Sequence, residues 1–326
     1  MKKHQAIEMG NAGMDISVII CTYNRSDSLR RTLECIEKME VSPEIRWELL
    51  LVDNNSKDDT RSVAESFREN TKIRLTYLME KNQGLSFARN NGIRHAKGGI
   101  IVFTDDDVLV DKSWIGNIHE AFRKHVEAAC IGGKILPRWE KPCPAWLKGR
   151  LLEYLACCDH GDETKRMSEP RLWGANLAMR SSMFRKYGLF DTRLGHTGGK
   201  LYGGEECQYL DRMLASGECI LYCPEITVHH CIPESRIRKA YFRKWKSDKG
   251  ELYALQMGDY EGRNLFGIPL IVIRKTFRYF LDSAADFFWG PKDDIRNQMD
   301  LHYHLGIIKG RLKYCISKKN VNSQNK

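Results

Sequence analysis

The sequence predicts an α/β protein with a parallel sheet, followed by a C-terminal helical extension. Short apolar runs alternate with segments whose apolar residues recur at helical spacing. Strand–helix–strand repeats of this kind form parallel sheets with right-handed crossovers. Each of three apolar runs ends in a polar cluster, at residues 22–25, 53–56 and 105–107. Because ligands in such sheets bind beyond the carboxyl ends of the strands, we expect these clusters to meet at one site.

The elements follow from the pattern of apolar residues along the chain. In the first half, apolar runs predict strands at residues 16–21, 47–52, 73–78 and 100–104. Apolar residues at helical spacing predict the intervening helices at residues 28–39, 58–67 and 85–96. In the second half, the pattern predicts strands at residues 130–136, 171–179 and 219–228 and a helix at residues 205–214. Residues 137–169 are predicted to be loop-rich, and the pattern after Pro233 is helical.

Charge and pattern together suggest three regions, at residues 1–14, 15–234 and 235–326. The net charge of the 326-residue chain is +10, and the last region carries 19 lysines and arginines against nine acids. The catalytic region is therefore nearly neutral, and the extension is basic. A basic extension can bind nucleic acid, an anionic membrane or an acidic substrate, or it can be a solvated helical surface.

The eleven cysteines are expected to be free thiols. The chain is too long for a small disulfide scaffold, and the N-terminus lacks the apolar run of a secretory signal. No CxxC pair is present, so a structural zinc site is not expected. These features predict a reducing, cytoplasmic location.

Residues 265–289 form an amphipathic pattern in the extension. One predicted helical face carries seven apolar residues: Leu270, Ile273, Phe277, Phe280, Leu281, Ala284 and Phe288. This face fits a membrane interface, with Arg274, Lys275 and Arg278 meeting anionic lipid, or packing on the catalytic domain. The longest uncharged apolar stretch, residues 264–273, is about half the length of a membrane span. We therefore expect peripheral contact at most, on the inner face of the plasma membrane.

The acidic run Asp105–Asp107 is the strongest candidate for metal chemistry. It follows the apolar strand predicted at residues 100–104. Carboxylate oxygens suit Mg²⁺ or Mn²⁺, which can in turn neutralise the oxygens of a diphosphate. Three adjacent acids repel one another unless a cation or hydrogen-bond donors compensate. The alternative is a solvated acidic turn.

Six motifs occur in a characteristic order along the chain. They are ISVIICTYNR (residues 16–25), VDNNS (52–56), NQGLSFARNNG (82–92), FTDDD (103–107), WGAN (173–176) and GGEE (203–206). The set resembles an inverting family-2 glycosyltransferase with the Rossmann-like GT-A fold. The resemblance covers residues 15–233, and it implies a nucleotide-sugar donor and a divalent cation.

The resemblance implies a role for each matching position. Those expected at the donor nucleotide are Thr22, Tyr23, Asn24, Asp53, Arg89, Asp105 and Asp106. Asp107 is implied as the principal metal ligand, with Asp105 beside it. Ordinary structural roles stay open for several: a capping turn at residues 22–24, an Asx turn at Asp53 and a surface position for Arg89.

Glu206 is the implied general base, and Glu205 is the fallback. The family usually has an acidic pair here, and deprotonating a sugar hydroxyl requires a carboxylate within hydrogen-bond reach. The alternative is a pair of acids that favours a helix N-terminus.

Three further positions complete the expected site. His230 is expected to join the metal shell in preference to His229, because neighbouring strand residues point to opposite faces. A structural role for the histidine stays open. Trp173 and Asn176 are expected at the acceptor, and the alternative for Trp173 is the core.

The sequence thus predicts a metal-dependent inverting glycosyltransferase in cell-surface polysaccharide or glycan assembly. Its partners would be a nucleotide-sugar, with a UDP-sugar favoured, and a glycan or lipid-linked acceptor. A nucleic-acid partner is not expected, because the acidic run would lie in its cleft. Two other functions stay open: an inactive nucleotide-sugar-binding scaffold, and a nucleotidyltransferase that makes nucleotide-sugars.

Overall fold

The computed structural model describes residues 13–290 and 294–324, so most of the predicted N-terminal extension, residues 1–14, lies outside it. The chain divides into two compact units. The first runs to Glu140 and also contains Leu152–Gly198 and Gly204–Ile232, and the second contains Lys141–Leu151, Gly199–Gly203 and the chain from Pro233.

The first half of the first unit alternates strands and helices, as predicted. Its elements are β1 (Met14–Thr22), α1 (Ser26–Glu37), β2 (Trp47–Asp53), α2 (Thr60–Asn70), β3 (Leu75–Met79), α3 (Leu85–His95) and β4 (Gly98–Asp105). The strands pair in parallel in the order β3-β2-β1-β4. The inner strands are almost wholly apolar and buried, because helices cover both faces of such a sheet. The predicted α/β class is confirmed.

The parallel pairing predicted for the first half is present, and the second half of this unit adds antiparallel pairs that make the sheet mixed. It contains β5 (Val108–Val110), α4 (Trp114–Lys124), β6 (Ala128–Trp139), β7 (Lys165–Arg166), β8 (Leu177–Arg180), α5 (Ser182–Tyr187), α6 (Glu205–Ala215) and β9 (Cys219–Ile232). The sheet continues beyond β4 in the order β8-β6-β9-β5. β8 is antiparallel to both β4 and β6, which reverses the sheet direction there.

The structure of this half differs from the predicted elements in several places. The strand predicted at residues 171–179 is only β8, because Gly174–Asn176 form a 3₁₀ turn that breaks the extended chain. The loop predicted at residues 137–169 contains a 3₁₀ helix, Gly149–Leu155. Helix α4 has no counterpart in the prediction, although Trp114, Ile118 and Phe122 bury one face at helical spacing.

The second unit is helical, which confirms the predicted C-terminal helical extension. Its elements are α7 (Lys239–Gln256), β10 (Asn264–Leu265), β11 (Ile268–Pro269), α8 (Leu270–Trp289) and α9 (Arg296–Gln324). Helices α7 and α9 approach closely at glycines: a Cβ on Gly250 would lie 2.0 Å from the Tyr303 carbonyl oxygen. Pro269 was expected to start the helix in residues 265–289, and α8 begins directly after it at Leu270, behind the hairpin of β10 and β11.

Two other expectations can be compared with the structure. None of the eleven cysteines, all of which lie within the described residues, forms a disulfide, as expected. Across residues 13–290 and 294–324, none of the helices combines the length and the apolar character that a bilayer crossing requires.

Candidate active site

The carboxyl edge of the parallel strands brings the three polar clusters together. Thr22 pairs with Asp53 in the register of β1 and β2, and Cys21 pairs with Asp105 in the register of β1 and β4. The strands therefore end level with one another. The sequence predicted this convergence, because the carboxyl ends of parallel strands share one edge.

Arg25 and Thr22 bind the acidic run from the β1 side. One guanidinium nitrogen of Arg25, Nη1, lies 2.9 Å from Asp106 Oδ1 and 2.7 Å from Asp107 Oδ2. The Thr22 hydroxyl donates to Asp106 Oδ2 at 2.7 Å. Burial and the neighbouring charge of Asp107 outweigh Arg25 and raise the pKa of Asp106 to about 6. Asp106 is thus engaged within the protein, and Thr22, expected at the nucleotide, is buried against it.

The role of Arg25 was not anticipated from the sequence. Its side chain is 40% exposed, and a single cation holds two of the three repelling carboxylates. The only sequence signal was its place at the end of the CTYNR motif, directly after a predicted strand. Adjacent acids need such a compensating donor.

Asp107 faces His230 across the pairing of β5 with β9. Asp107 Oδ1 lies 3.2 Å from His230 Nε2, and the imidazole is 3% exposed. The other ring nitrogen, Nδ1, lies 2.8 Å from the Leu155 carbonyl oxygen, which fixes the ring and directs Nε2 toward Asp107. His229, on the opposite strand face, is half-buried, and its Nδ1 lies 3.6 Å from Asp111 Oδ1.

The donor set fits a divalent cation that takes its other ligands from substrate and water. Two neighbouring ligands of an octahedral Mg²⁺, each at about 2.1 Å, are about 3.0 Å apart. The Asp107–His230 separation of 3.2 Å is close to that value. No group of three or more histidine, cysteine or acidic side chains in the described parts of the chain is arranged to hold a metal by itself. The protein would thus supply two ligands, as Mg²⁺ sites that also bind phosphates commonly require.

The side chains expected at the nucleotide divide into buried and exposed groups. Asp53 is buried and accepts hydrogen bonds from Ser56 N at 2.8 Å and from the Tyr77 hydroxyl at 2.7 Å. Asp53 therefore forms the Asx-type turn that was the alternative to its expected contact with the nucleotide. Tyr23, 41% exposed, lies on the open side of this edge.

Asn24 shapes the loop beside Tyr23. Its φ of 52° is in the left-handed region, which asparagine tolerates better than most residues. Its carbonyl oxygen Oδ1 accepts from Lys57 N at 2.7 Å, and its own N–H donates to Ser56 Oγ at 2.9 Å. These bonds join the β1 and β2 loops into one rim.

Arg89 lies beneath the acidic edge. The expected place was facing the nucleotide. Its guanidinium is 4% exposed and contacts Glu205 at 2.7 Å, Asp105 at 3.6 Å and Glu206 at 3.9 Å. The rings of Phe103 and Phe190 lie 5.7 and 6.0 Å from its Cζ. Arg89 therefore links the acidic run to the acidic pair through buried ion pairs.

The two glutamates at the start of α6 differ in burial and in pKa. Glu205 is 1% exposed, and burial together with the charge of Glu206 raises its pKa to about 8. Burial also disfavours charge on Glu206, but Arg89 and a backbone hydrogen bond outweigh it and lower its pKa. Glu206 is thus the ionised member near neutral pH. The two side chains also share a hydrogen bond, which helps to raise the pKa of Glu205 and to lower that of Glu206.

Gly174 places the backbone of the WGAN motif directly against this pair. Its N–H lies 3.5 Å from Glu206 Oε1, and a Cβ at this position would be 2.1 Å from Arg89 Nη2. Only glycine leaves room for the buried guanidinium at this distance. The structure thus brings Arg89, Glu205, Glu206 and the WGAN turn together.

The two residues expected at the acceptor occupy different surroundings. Trp173 is partly buried, and its indole N–H donates to the Cys157 carbonyl at 3.3 Å. Asn176 is 2% exposed, accepts from Trp114 Nε1 at 2.9 Å and donates to the carbonyl of Ile226 at 2.8 Å. Its second amide hydrogen goes to the Lys134 carbonyl. Asn176 therefore links α4, β6 and β9 by buried hydrogen bonds, whereas a contact with the acceptor was expected for it.

Comparison with known proteins bears on the family of the chain. The model of the family described as glycosyl transferase family 2 matches residues 17–188. The glucosyl-dolichyl phosphate glucuronosyltransferase of Haloferax volcanii is 26% identical over 227 residues, covering 68% of this chain and 71% of the relative. The succinoglycan biosynthesis protein ExoM of Rhizobium meliloti is 25% identical over 320 residues, covering 93% and 95%.

Solved structures share the fold at low sequence identity. Mannosyltransferase PcManGT from Pyrobaculum calidifontis, solved with GDP-Man and Mn²⁺, matches with a TM-score of 0.57 and 17% identity over 99% of this chain and 84% of that chain. S. aureus TarS 1–349, solved with UDP, matches with a TM-score of 0.52 and 14% identity over 92% of each. Both the fold and the family predicted from the motifs are confirmed. The chain is a glycosyltransferase with a GT-A fold and a helical C-terminal extension, and it belongs to glycosyltransferase family 2.

Proposed function

We propose that this protein transfers a sugar from a nucleotide-sugar to a hydroxyl acceptor, with inversion and with the help of a divalent cation. The observation that carries the proposal is the joining of two acidic groups by one buried arginine. Arg89 contacts Asp105 on one side and the Glu205–Glu206 pair on the other. A donor diphosphate and an acceptor hydroxyl would therefore meet within one charged network.

The donor nucleotide is proposed to bind along the rim formed by the β1 and β2 loops. Tyr23 offers an exposed ring there, and the rim is closed by hydrogen bonds between Asn24 and the loop after Asp53. Solved neighbours carry GDP-Man and UDP, which supports a nucleoside diphosphate sugar. A UDP-sugar is the first donor to test, followed by GDP- and dTDP-sugars.

A divalent cation is proposed to bind at Asp107 and His230, with Asp105 on the diphosphate side. When bound, it would supply positive charge to the diphosphate leaving group. Arg25 already holds Asp106 and Asp107 in place by two short ion pairs. The Leu155 carbonyl fixes the His230 ring, so the two ligands are oriented before a cation binds.

Glu206 is proposed as the general base. Its side chain is 14% exposed, so its carboxylate can accept a hydrogen bond from a sugar hydroxyl. The hydroxyl oxygen attacks the anomeric carbon, its proton passes to Glu206, and the bond to the nucleoside diphosphate breaks. Arg89 keeps Glu206 ionised by lowering its pKa, which is the state a base requires.

The acceptor is proposed to be a glycan or a lipid-linked glycan in cell-surface polysaccharide assembly. Two relatives support this: one is named for succinoglycan biosynthesis and the other as a glucosyl-dolichyl phosphate glucuronosyltransferase. The partly buried Trp173 ring next to Gly174 is the proposed contact for the acceptor sugar. We propose that the protein works at the inner face of the plasma membrane.

A donor screen tests this function. Nucleoside diphosphate release from UDP-, GDP- and dTDP-sugars is measured with Mn²⁺, Mg²⁺ or EDTA. Glu206→Gln should lower turnover by about 10²–10⁴-fold while donor affinity is kept, because the base acts only in the chemical step. Glu120→Gln, an exposed acid on α4, is the matched control.

Other outcomes separate the alternatives. Full activity of Glu206→Gln with loss in Glu205→Gln would reassign the base. Donor binding without release under every condition would favour a scaffold. Formation of a nucleotide-sugar from a nucleoside triphosphate and a sugar phosphate would favour a nucleotidyltransferase.

A further inference from the structure

The exposed aromatic residues of this protein are concentrated in one short segment of the second unit. Among the described residues, five phenylalanine side chains are exposed, at 57–81% of their surface: Phe266, Phe277, Phe280, Phe287 and Phe288. All five lie within 23 consecutive positions of the chain. Scattered apolar residues on a surface need no explanation, but a cluster of this kind marks an interaction site.

Helix α8 packs through the face opposite to its apolar stripe. Val272 is buried in a small cluster with Ile268 and with Ile307 of α9. The Tyr279 ring, on the same side, lies 5.1 Å from the His304 ring of α9. Ile273, at the edge of the predicted stripe, packs against the same cluster, whereas Leu270, Phe277, Phe280 and Leu281 are exposed and turned away from α9.

The outward stripe is continuous. Leu270, Phe277 and Leu281 are 39%, 63% and 50% exposed, and Phe280 beside them is 57% exposed. Positions separated by four and seven residues lie on one side of a helix. These four residues, together with Phe266, are named the apolar face.

Phe266 is held at the tip of the hairpin that precedes α8. Its φ is 51° and that of Gly267 is 79°, so both residues of the tight turn are in the left-handed region. Asparagine and glycine normally occupy such turns, and a bulky aromatic residue there is costly. The Asn264 side chain steadies the turn by accepting from Gly267 N at 3.1 Å. A strained, 81% exposed phenylalanine indicates a side chain kept for contact with another surface.

Cations border the apolar face along α8. Arg274, Lys275 and Arg278 are all exposed, and they lie within one and a half turns of the helix. The acid nearest to them in an ion pair is Asp282, at 3.6 Å from Arg278. An exposed aromatic stripe bordered by cations is the composition of helices that lie in the interface of an anionic membrane.

We propose that the hairpin tip and α8 dock the protein on the surface of an anionic lipid bilayer. The apolar face enters the boundary between headgroups and acyl chains, and Arg274, Lys275 and Arg278 contact the lipid phosphates. The helix lies in the plane of the bilayer. A second copy of the chain would also cover the apolar face, but it would bring these cations toward like charges, whereas anionic lipid neutralises them. This docking deepens the proposal that the protein works at the inner face of the plasma membrane and rests on it for that location, although it involves no donor or acceptor residue.

Vesicle co-sedimentation of the full chain tests the proposal. Vesicles of phosphatidylcholine alone are compared with vesicles that contain phosphatidylglycerol. The wild-type chain should bind the anionic vesicles more tightly, and added salt should weaken the binding. Phe277→Ser should lower the affinity by about tenfold or more, because it removes a large apolar side chain from the lipid. Val126→Ser, which changes a 75% exposed apolar residue in the first unit, is the matched control and should have no effect.

A charge series gives a second, independent readout. The triple variant Arg274→Gln, Lys275→Gln, Arg278→Gln should lose about fivefold in anionic-vesicle affinity per charge removed. The control neutralises three exposed cations elsewhere, with Arg61→Gln, Arg68→Gln and Lys72→Gln, and should keep binding. Circular dichroism and thermal melting check that every variant is folded. Donor hydrolysis without vesicles should be unchanged in all of them, which separates docking from catalysis.

Several results would overturn the proposal. One is wild-type chain that remains in the supernatant with anionic vesicles. Another is equal binding by Phe277→Ser and the wild type, or equal losses in the two charge series. A third is a dimer in sedimentation velocity that Phe277→Ser converts to a monomer, with no vesicle binding by either, since the face would then join two copies.

Discussion

Removal of the Arg89 side chain should destabilise the first unit through the acids left behind. The guanidinium is 4% exposed and lies 2.7 Å from Glu205, which is itself 2% exposed in its side chain. Glu206, the member of the pair that is ionised near neutral pH, lies 3.9 Å from Arg89, and at an effective dielectric constant of about 20 that contact contributes about 4 kcal/mol of gross attraction. Breaking a buried pair on one side typically costs about 3–5 kcal/mol net, because the remaining charge stays buried.

Methionine is the substitution that isolates this effect. In Arg89→Met, the apolar side chain keeps contact with the rings of Phe103 and Phe190, so little packing is lost. We expect the melting temperature to fall by about 6–20 °C, at about 2–4 °C per kcal/mol. Adding Glu206→Gln should recover much of the loss, because the uncompensated charge is then removed.

The loss should depend on pH in a defined direction. Arg89 lowers the pKa of Glu206, so in the wild type Glu206 contributes stability above its usual pKa of about 4.5. Without Arg89 the folded-state pKa of Glu206 rises, and its ionisation then opposes folding as the pH increases. The difference between Arg89→Met and the wild type should therefore be small near pH 4.5 and large at pH 8. Thermal melts followed by circular dichroism at pH 5 and pH 8 measure it.

Two results would refute this reasoning. A fall of less than about 2 °C at pH 8 would mean that the ion pairs contribute little net stability. An equal fall at pH 5 and pH 8 would mean that lost packing, and not uncompensated charge, is responsible.

Three further predictions address other parts of the structure. Gly174→Ala should destabilise the first unit by about 1–3 kcal/mol in thermal melts, because its Cβ would meet buried Arg89 at 2.1 Å, whereas Gly116→Ala meets nothing within 4 Å and should be neutral or stabilising. His230→Ala should raise the Mn²⁺ concentration for half-maximal nucleoside diphosphate release by about tenfold or more, and an unchanged value would remove His230 from the proposed metal site. Burial opposes charge on Glu251, but Lys200 and Lys313 lower its pKa to about 2; stability should therefore fall as the pH drops from about 4.5 to 2, and Glu251→Gln should flatten that fall in acid titrations.

The meeting of the polar clusters at one sheet edge was predictable from the sequence, because apolar strands that end in polar residues repeat along the chain. Thr22, Asp53 and Asp105 each follow an apolar run, and parallel pairing then brings them to one edge. His230 could be preferred over His229 from strand alternation alone, and the structure places its imidazole at Asp107.

Positions that depend on long-range packing were not predictable. The helix that contains Arg89 has no sequence feature that predicts a buried arginine. Its burial results from Gly174 and Glu205, which are 85 and 116 positions away. Asn176 was expected at an acceptor, but β6 and β9 take both of its amide hydrogens. No sequence pattern identifies the role of Arg25, because its ion pairs form only when folding places Asp106 and Asp107, which follow β4, beside it.

The sequence alone determined the α/β class, the family motifs and the edge of the sheet at which the acids lie, because these depend on local periodicity and on the order of segments. Only the tertiary structure decided which of Glu205 and Glu206 has the raised pKa, which cation holds the acidic run and which face of α8 is exposed. Those properties depend on burial and on distances between side chains far apart in sequence. An apolar stripe in particular looks the same whether it is buried or exposed, and the packing of Val272 against α9 is what leaves this one outward.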